Sequence, residues 1–318
     1  MRTQDRRIQD RRIQHDAIFY DDDFDFVSAA IPFIREGVEA GEVVMINTLT
    51  NPVTPLLRAM FADEEQVVIA DRPVYSTPAA ALEGYRRIME KGLAEGARGY
   101  RAMGYIDFDS SHLPWQEWLR YEAAVNRVFA DFPFRTICPY DVSLLPTTVT
   151  DPIMRAHSGL ITSEGRRAND QYVDPEDLVR REGLVTPPLP LQANPPRMVI
   201  EPSRDLMELR MEIYAATMFA DIPRVQVDDF VKAVGEVVAN AHKHGADPVQ
   251  LRLWAADSGL VCTVTDQGPG IADPLAGYAR PGSPAEGGLG LWAARQLCDV
   301  LDYQHGPDGF TVRVATLL

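Results

Sequence analysis

Five prolines fall within residues 183–197, GLVTPPLPLQANPPR, and that segment carries a single charge, Arg197. Proline fixes φ and has no backbone N–H, so neither a helix nor a central strand runs through such a stretch. Its density favours an extended, semi-rigid linker. A ligand for a proline-reading domain is the rarer use of this composition. The cut leaves residues 15–182 and 198–318, each of ordinary domain size. Hydrophobic residues make up 46% of the 318, so each part can bury a core of its own.

Charge and cysteine content narrow the function classes. The net charge is −15, with 31 basic against 46 acidic residues. A direct nucleic-acid binder would show a basic patch or stripe, and this balance argues against one. Cys138, Cys262 and Cys298 lie far apart and form no C-x-x-C, which fits a reduced, cytoplasmic setting. No signal-peptide pattern and no apolar run of about 18 residues is present, so no membrane anchor is expected. Residues 1–14, MRTQDRRIQDRRIQ, repeat Gln-Asp-Arg-Arg-Ile and hold five Arg against two Asp. They read as a solvated basic tail, with a short docking helix as the sharper alternative.

From His15 onward, apolar runs alternate with longer amphipathic segments. AIFY, VVMINT, QVVIA, YRAMGYIDF and FRTICPYDVS are strand-like. DFVSAAIPFIREGVEAGE, AAALEGYRRIMEKGLAEGA and WQEWLRYEAAVNRVFADF carry helical spacing, and the first ends near Gly41. Such alternation predicts a mostly parallel α/β sheet flanked by helices. Neither G-x-G-x-x-G nor G-x-x-x-x-G-K-[ST] occurs, so the architecture lacks a phosphate loop. HDAIFYDDDFDFVSAAIPFIREGVEAGE, ICPYDVSLLP and MRAHSGLITSEGRRANDQYVDP resemble the MEDS sensory domain, over roughly residues 15–177. The resemblance implies sensing of a ligand or signal that it does not name. His15, Tyr140, Asp141 and His157 are candidate pocket residues, although packed structural roles are commoner for such groups.

The second part opens with the strand-like MVIE. A helix over SRDLMELRMEIYAATMF follows, with Ser203 as N-cap. A second helix, RVQVDDFVKAVGEVVANAHKHG, ends on Gly245 as its C-cap. PVQLRLWAAD and GLVCTVTDQG form a hairpin turning at Asp257-Ser258-Gly259. LGLWAARQLCDVLDY reads as a third helix and GFTVRVATLL as a closing strand. Strands and helices segregate, which predicts an α/β sandwich with helices on one face of one sheet.

Three short motifs carry the chemistry. In the second helix Glu236 and Asn240 are four apart and share a face, with Lys243 and His244 on the next turn. Alone, that stripe is explained by a solvated helix face. VTDQGPGI follows, with Asp266, Gly268 and Gly270. A carboxylate there can accept from an exocyclic amino group such as that of adenine, and glycines let the backbone approach a base. EGGLGLW then sets Gly287, Gly288 and Gly290 at a helix start, where free amides bind phosphate.

The order E-x-x-x-N-A-x-x-H-G, D-x-G-x-G, G-G-x-G-L resembles the Bergerat-fold ATPases over essentially all of residues 199–318. Within them the chain looks most like the anti-sigma factor serine/threonine kinases, through EVVANAHKHG, the short proline-rich IADPLAGYARPGSPAE, and GGLGLWAARQLCDVLDY with Trp292. This implies that the domain binds Mg²⁺ and ATP. Asn240 would ligate Mg²⁺, Glu236 would act as general base toward a hydroxyl, and Asp266 would read adenine beside Gly268 and Gly270. Gly287, Gly288 and Gly290 would cradle phosphate under a mobile lid, with Lys243 and His244 near the phosphates. The implied activity is serine/threonine phosphorylation of a partner, an anti-sigma antagonist or the sigma factor itself, and a homodimer is compatible with it. Two alternatives stay open: an ATP-responsive binding module without catalysis, and a two-component histidine kinase whose acceptor lies in another chain. NAHKHG also fits the histidine-kinase helix. However, His15, followed by Asp16, lies in a strand and lacks the proline of an acceptor motif, and His112, His157 and His305 lack the pattern altogether.

Overall fold

The structure is a computed structural model that describes residues 13–48, 50–71, 77–108, 111–182, 186–282 and 288–318. Most of the basic tail and Gly287 lie outside the described residues. Two compact units emerge. One takes in residues up to 111 together with 119–182, the other 112–118 together with 183–318.

The first unit alternates strand and helix: β1 (Gln14–Tyr20), α1 (Asp23–Ala40), β2 (Val43–Asn47), α2 (Thr54–Met60), β3 (Val67–Ile69), α3 (Pro78–Ala94) and β4 (Tyr100–Gly104). α4 (Trp115–Val128), β5 (Phe134–Asp141), α5 (Thr147–Ala156), β6 (Gly159–Thr162), β7 (Gly165–Ala168) and α6 (Pro175–Arg181) complete it. The sheet order is β3-β2-β4-β5-β1-β6-β7. Every pairing is parallel except β6 with β7. β4 is buried along its whole length, as expected of a strand covered on both faces. Helix α1 starts where Asp22 accepts from the Asp25 N–H at 2.8 Å and stops at Gly41, whose φ of +69° suits glycine. The turn from β1 into α1 is where a phosphate loop stands in nucleotide-binding folds. Here it holds Asp21, Asp22 and Asp23, and their charge repels a phosphate.

The second unit is a five-stranded antiparallel sheet, ordered β11-β12-β10-β9-β8. Its elements are β8 (Met198–Ile200), α7 (Leu206–Thr217), α8 (Arg224–His244), β9 (Gln250–Ala256), β10 (Gly259–Asp266), α9 (Leu289–Gln296), β11 (Val300–Gly306) and β12 (Gly309–Leu317). Val227, Phe230, Val231, Val234, Val237, Val238 and Ala241 recur at three- and four-residue spacing along α8. They bury against Leu251, Leu253, Cys262, Val264 and Val314 of the sheet, and α7 and α9 share that core. The helices lie on one face, as the segregated pattern predicts.

Three local expectations are corrected. Asp205, not Ser203, caps α7, accepting from the Met207 N–H at 2.8 Å, while Ser203 accepts from the Asp205 N–H one turn earlier. The third helix stops at Gln296. Residues 300–303, read as its continuation, begin strand β11, which pairs with β12 through a turn at 307–308. Val300 and Leu301 are both buried, so the short apolar run that resembles helix serves a strand covered on both faces. The proline-rich segment is more than a spacer, because its described residues fold against the sheet face opposite the helices. A 3₁₀ turn covers Pro190–Ala193, and the Trp254 indole N–H donates to the Asn194 carbonyl at 2.8 Å. Trp254, Val261, Ala315 and Val300 form one buried row across four strands on that face.

Arg313 on β12 ties this segment down. Its Nε and Nη2 grip both oxygens of Asp302 at 3.1 and 2.5 Å. Its Nη1 donates to the Pro187 carbonyl at 3.0 Å and to Gln192 Oε1 at 2.9 Å. Both charges are buried, and breaking such a pair leaves one charge uncompensated. Arg313→Ala is expected to cost about 3–5 kcal/mol in denaturant unfolding. Adding Asp302→Ala should recover part of that loss; a loss below about 1 kcal/mol for the single variant, the value of an exposed pair, would show that the pair is not stabilising.

Candidate functional site

Helix α8 presents its polar stripe opposite the buried one. Glu236, Lys243 and His244 are exposed and Asn240 is half-buried. Helix α9 packs beside it. A Cβ built on Gly290 would come 2.5 Å from Glu236 Oε2 and 3.8 Å from Asn240 Nδ2, so the start of α9 meets these two side chains. Gly288 is the N-cap of α9 with φ of +79° and no capping side chain, which leaves the first amides of the helix open.

A second contact joins the C-terminal end of α8 to β10. Gly245 caps α8 through an N–H bond to the Ala241 carbonyl, but its backbone is extended, with φ −85° and ψ −162°. Gly245 is the C-cap the sequence predicts, but no left-handed conformation calls for glycine there, and the need for glycine has another cause. A side chain there would sit 2.4 Å from the Asp266 carboxyl. Asp266 is buried, and its Oδ1 accepts from the Gly268 N–H at 2.7 Å and the Ala246 N–H at 3.4 Å. Among the described residues its Oδ2 takes no hydrogen bond from the protein. Gly268 closes on the Gly245 backbone, where a Cβ would meet Cα at 2.6 Å. Gly270, at φ +73°, tucks under Phe310 and His305.

The segment after Gly270, expected to be a mobile lid, is anchored in its described part. Tyr303 Oη donates to the Asp273 carbonyl at 2.7 Å, and Arg295 Nε to the Ala276 carbonyl at 3.0 Å. Arg295 is buried, lies over the Tyr278 ring at 4.0 Å, and donates through Nη1 to the Leu301 carbonyl at 2.7 Å. Sequence reading passed over Arg295, because an arginine on a short amphipathic helix looks like a solvated charge. Of the residues grouped by motif, the structure thus gathers Glu236, Asn240 and Gly290 at one contact and Asp266 and Gly268 at another. Residues 283–286 and Gly287 are outside the described residues.

The four candidates in the first unit divide. Tyr140 and Asp141 line a shallow crevice with Tyr105, Ile106, Leu144 and Leu145, at the carboxyl ends of β4 and β5. Ligands commonly enter open α/β sheets at strand carboxyl ends. His15 and His157 are fully buried, with ring centroids 4.1 Å apart. Both reach Glu122 of α4, also fully buried, through Nε2–Oε2 distances of 3.0 and 3.5 Å. Tyr140 Oη donates to Glu122 Oε1 at 2.6 Å, and Cys138 Sγ lies 3.6 Å from Oε2. Burial alone would push the Glu122 carboxyl up. The hydrogen bond with His15 and the nearby His157 ring outweigh it and hold the group well below the usual range. Burial, then repulsion from His157, lowers His15. Burial and the Glu122 charge push the Cys138 thiol and the Tyr140 phenol well up. Sequence reading did not select Glu122 or Cys138, since each is an isolated residue in an apolar or amphipathic run.

Comparison with known proteins fits this division. Residues 14–158 match the MEDS family, the methanogen/methylotroph, DcmR sensory domain. Residues 201–316 match the histidine kinase-like ATPase domain. Among curated proteins no sequence matches the chain. A solved structure of the RsbU and RsbW domains of a Mycobacterium tuberculosis protein is similar at 19% identity and a TM-score of 0.29, covering 39% of this chain and 33% of that one. No described helix is long and apolar enough to cross a membrane. The chain therefore joins a MEDS sensory domain to a histidine kinase-like ATPase domain.

Proposed function

We propose that the ATPase domain binds Mg²⁺-ATP and transfers its γ-phosphoryl group to a serine or threonine of a partner protein, under control of the MEDS domain. The supporting observation is the meeting of Glu236, Asn240 and Gly290 at the start of α9. It sets a carboxylate and a side-chain amide beside a helix N-terminus whose open amides suit phosphate. Asn240 offers a neutral oxygen to Mg²⁺, a hard cation that keeps several waters. Glu236, one turn earlier and exposed, takes the proton of the incoming hydroxyl. Lys243 and His244 stand on the next turn, where positive charge would attract the phosphates. Asp266 spends Oδ1 on the loop and offers Oδ2 to the adenine amino group, with Gly268 and Gly270 letting the base approach. Gly288 completes the phosphate turn, and the motif assigns Gly287 to the same role. The partner class is an anti-sigma antagonist or the sigma factor, in the cytoplasm, as the resemblance to anti-sigma factor kinases implies.

Among the chain's own histidines, His15 and His157 are fully buried, so neither imidazole can be presented to a phosphoryl donor.

Glu236→Gln keeps the shape of the site and removes the base. Transfer to the partner in single-turnover assays should fall by at least about 10²-fold with ATP affinity unchanged. Transfer at the wild-type rate would put the base elsewhere, and no label on any partner with the unmodified chain would leave an ATP-responsive binding module. Asp266→Asn replaces a charged acceptor, and hydrogen bonds to charged groups are worth about 1.5–3 kcal/mol. Calorimetry with a non-hydrolysable ATP analogue should show roughly a 10- to 100-fold loss of affinity, since about 1.4 kcal/mol is tenfold. Unchanged affinity would sink the adenine assignment. The acidic turn after β1 gives a third expectation: a fragment of residues 1–185 shows no thermal shift with ATP, and a clear shift would place a nucleotide in the MEDS domain.

A further inference from the structure

Four residues far apart in sequence converge in the dry interior of the MEDS domain. His15 lies on β1, Glu122 on α4, Cys138 on β5 and His157 just after α5. Strand register explains the first meeting. His15 pairs with Thr136, and Cys138 lies two residues further along β5, on the same face of the sheet. Helices α4 and α5 supply the other two groups. One donor atom from each residue lies within 4.8 Å of every other, and all four residues are buried.

Hydrogen bonding within the protein does not account for this cluster. His157 Nε2, which faces the centre of the cluster, is buried and has no hydrogen-bond partner. A buried polar atom without one calls for a specific cause, and an ion is one of the few available. Charge is the second difficulty. The Glu122 carboxylate is fully buried and its ion-pair distances run only to the His15 and His157 rings, and a buried anion without a permanent cation beside it is costly away from water.

Distances point to a tetrahedral cation. Bonds of about 2.0–2.3 Å in a tetrahedron set neighbouring donor atoms roughly 3.3–3.8 Å apart. Here His15 Nε2 is 3.0 Å from Glu122 Oε2 and 3.5 Å from Cys138 Sγ. Glu122 Oε2 is 3.5 Å from His157 Nε2 and 3.6 Å from Cys138 Sγ. The outer hydrogen bonds also suit a metal. His157 Nδ1–H donates to the Ile153 carbonyl at 2.8 Å, which leaves the lone pair on Nε2, facing Glu122. Tyr140 Oη holds the second oxygen of Glu122 at 2.6 Å. Such bonds orient ligands and tune the metal.

We propose that the MEDS domain holds one Zn²⁺ in its core, bound by His15 Nε2, Glu122 Oε2, Cys138 Sγ and His157 Nε2. One thiolate, two imidazoles and one carboxylate are the ligand types of zinc, and four protein ligands close the site as in structural zinc centres. A divalent cation, a carboxylate, a thiolate and two neutral imidazoles sum to no net charge, which balances the buried anion. On binding, the Cys138 S–H bond breaks, the sulfur–zinc bond forms, and the proton leaves to solvent. Tyr140 links the centre to the crevice, since it both orients Glu122 and lines that crevice. The proposal is independent of the nucleotide site.

The full chain, purified and reconstituted with Zn²⁺, is expected to retain one zinc per chain after gel filtration, measured by elemental mass spectrometry. Co²⁺ in its place should give the intense visible bands of a tetrahedral ion and a near-ultraviolet thiolate-to-cobalt charge-transfer band. Cys138→Ser should lose the charge-transfer band, and His157→Ala should lower zinc retention against a chelator at least tenfold. Tyr140→Phe removes only an outer hydrogen bond and should weaken zinc by about 10- to 100-fold. If the ligand variants fail to fold, the cobalt spectrum of the unmodified chain decides alone. A folded chain that retains no stoichiometric zinc or cobalt overturns the proposal. So does cobalt bound without a thiolate band, as the exposed oxygens of Asp21, Asp22 and Asp25 would bind it.

Discussion

Burial of one edge of α8 against the antiparallel sheet is the constraint on which the ATPase domain depends. The apolar series from Val227 to Ala241 allows a single rotation of the helix about its axis, because any other exposes several valines and Phe230. With that rotation set, Glu236, Asn240 and Lys243 share the opposite side without further instruction. The C-terminal end of α8 is then carried onto Asp266, where Gly245 and Gly268 must lack side chains for the two backbones to approach. Stability and site geometry therefore rest on the same contacts.

Around that core the fold holds its loops by buried arginines. Arg313 binds the proline-rich segment to the far face of the sheet through Asp302, Pro187 and Gln192. Arg295 binds the base of the segment after Gly270 through Ala276 and Leu301. A guanidinium suits both tasks, since its five donors have fixed directions and can satisfy several carbonyls at once. In the MEDS domain one buried charge is the Glu122 carboxylate on α4, held by His15 and Tyr140 from β1 and β5 of the parallel sheet. Such groups are costly to bury and require complete partners, which is why the unpartnered His15 Nδ1 and His157 Nε2 stand out.

Much of the fold was legible because hydrophobic period is local. Alternating apolar runs and amphipathic segments foretold the parallel sheet, and segregated strands and helices foretold a sheet with its helices on one face. Failures came where local pattern is ambiguous. LCDVLDY reads as helix until β12 is there to pair with it, and only then does Val300–Gly306 extend as a strand. Ser203 is a good cap in sequence, but the helix begins at Leu206 and Asp205 caps it.

The sequence by itself determined most of the strands and helices and a motif order that singles out the candidate site's residues, since spacing along one helix or one turn is a property of the chain alone. Tertiary structure decided which groups meet. Gly245 lies against Asp266, Gly290 against Glu236, and His15, Glu122, Cys138 and His157 converge from four elements. No spacing rule reaches across 142 residues, from His15 to His157. Strand order and helix packing bring such residues together, because burying apolar faces fixes where every polar side chain on those elements must end.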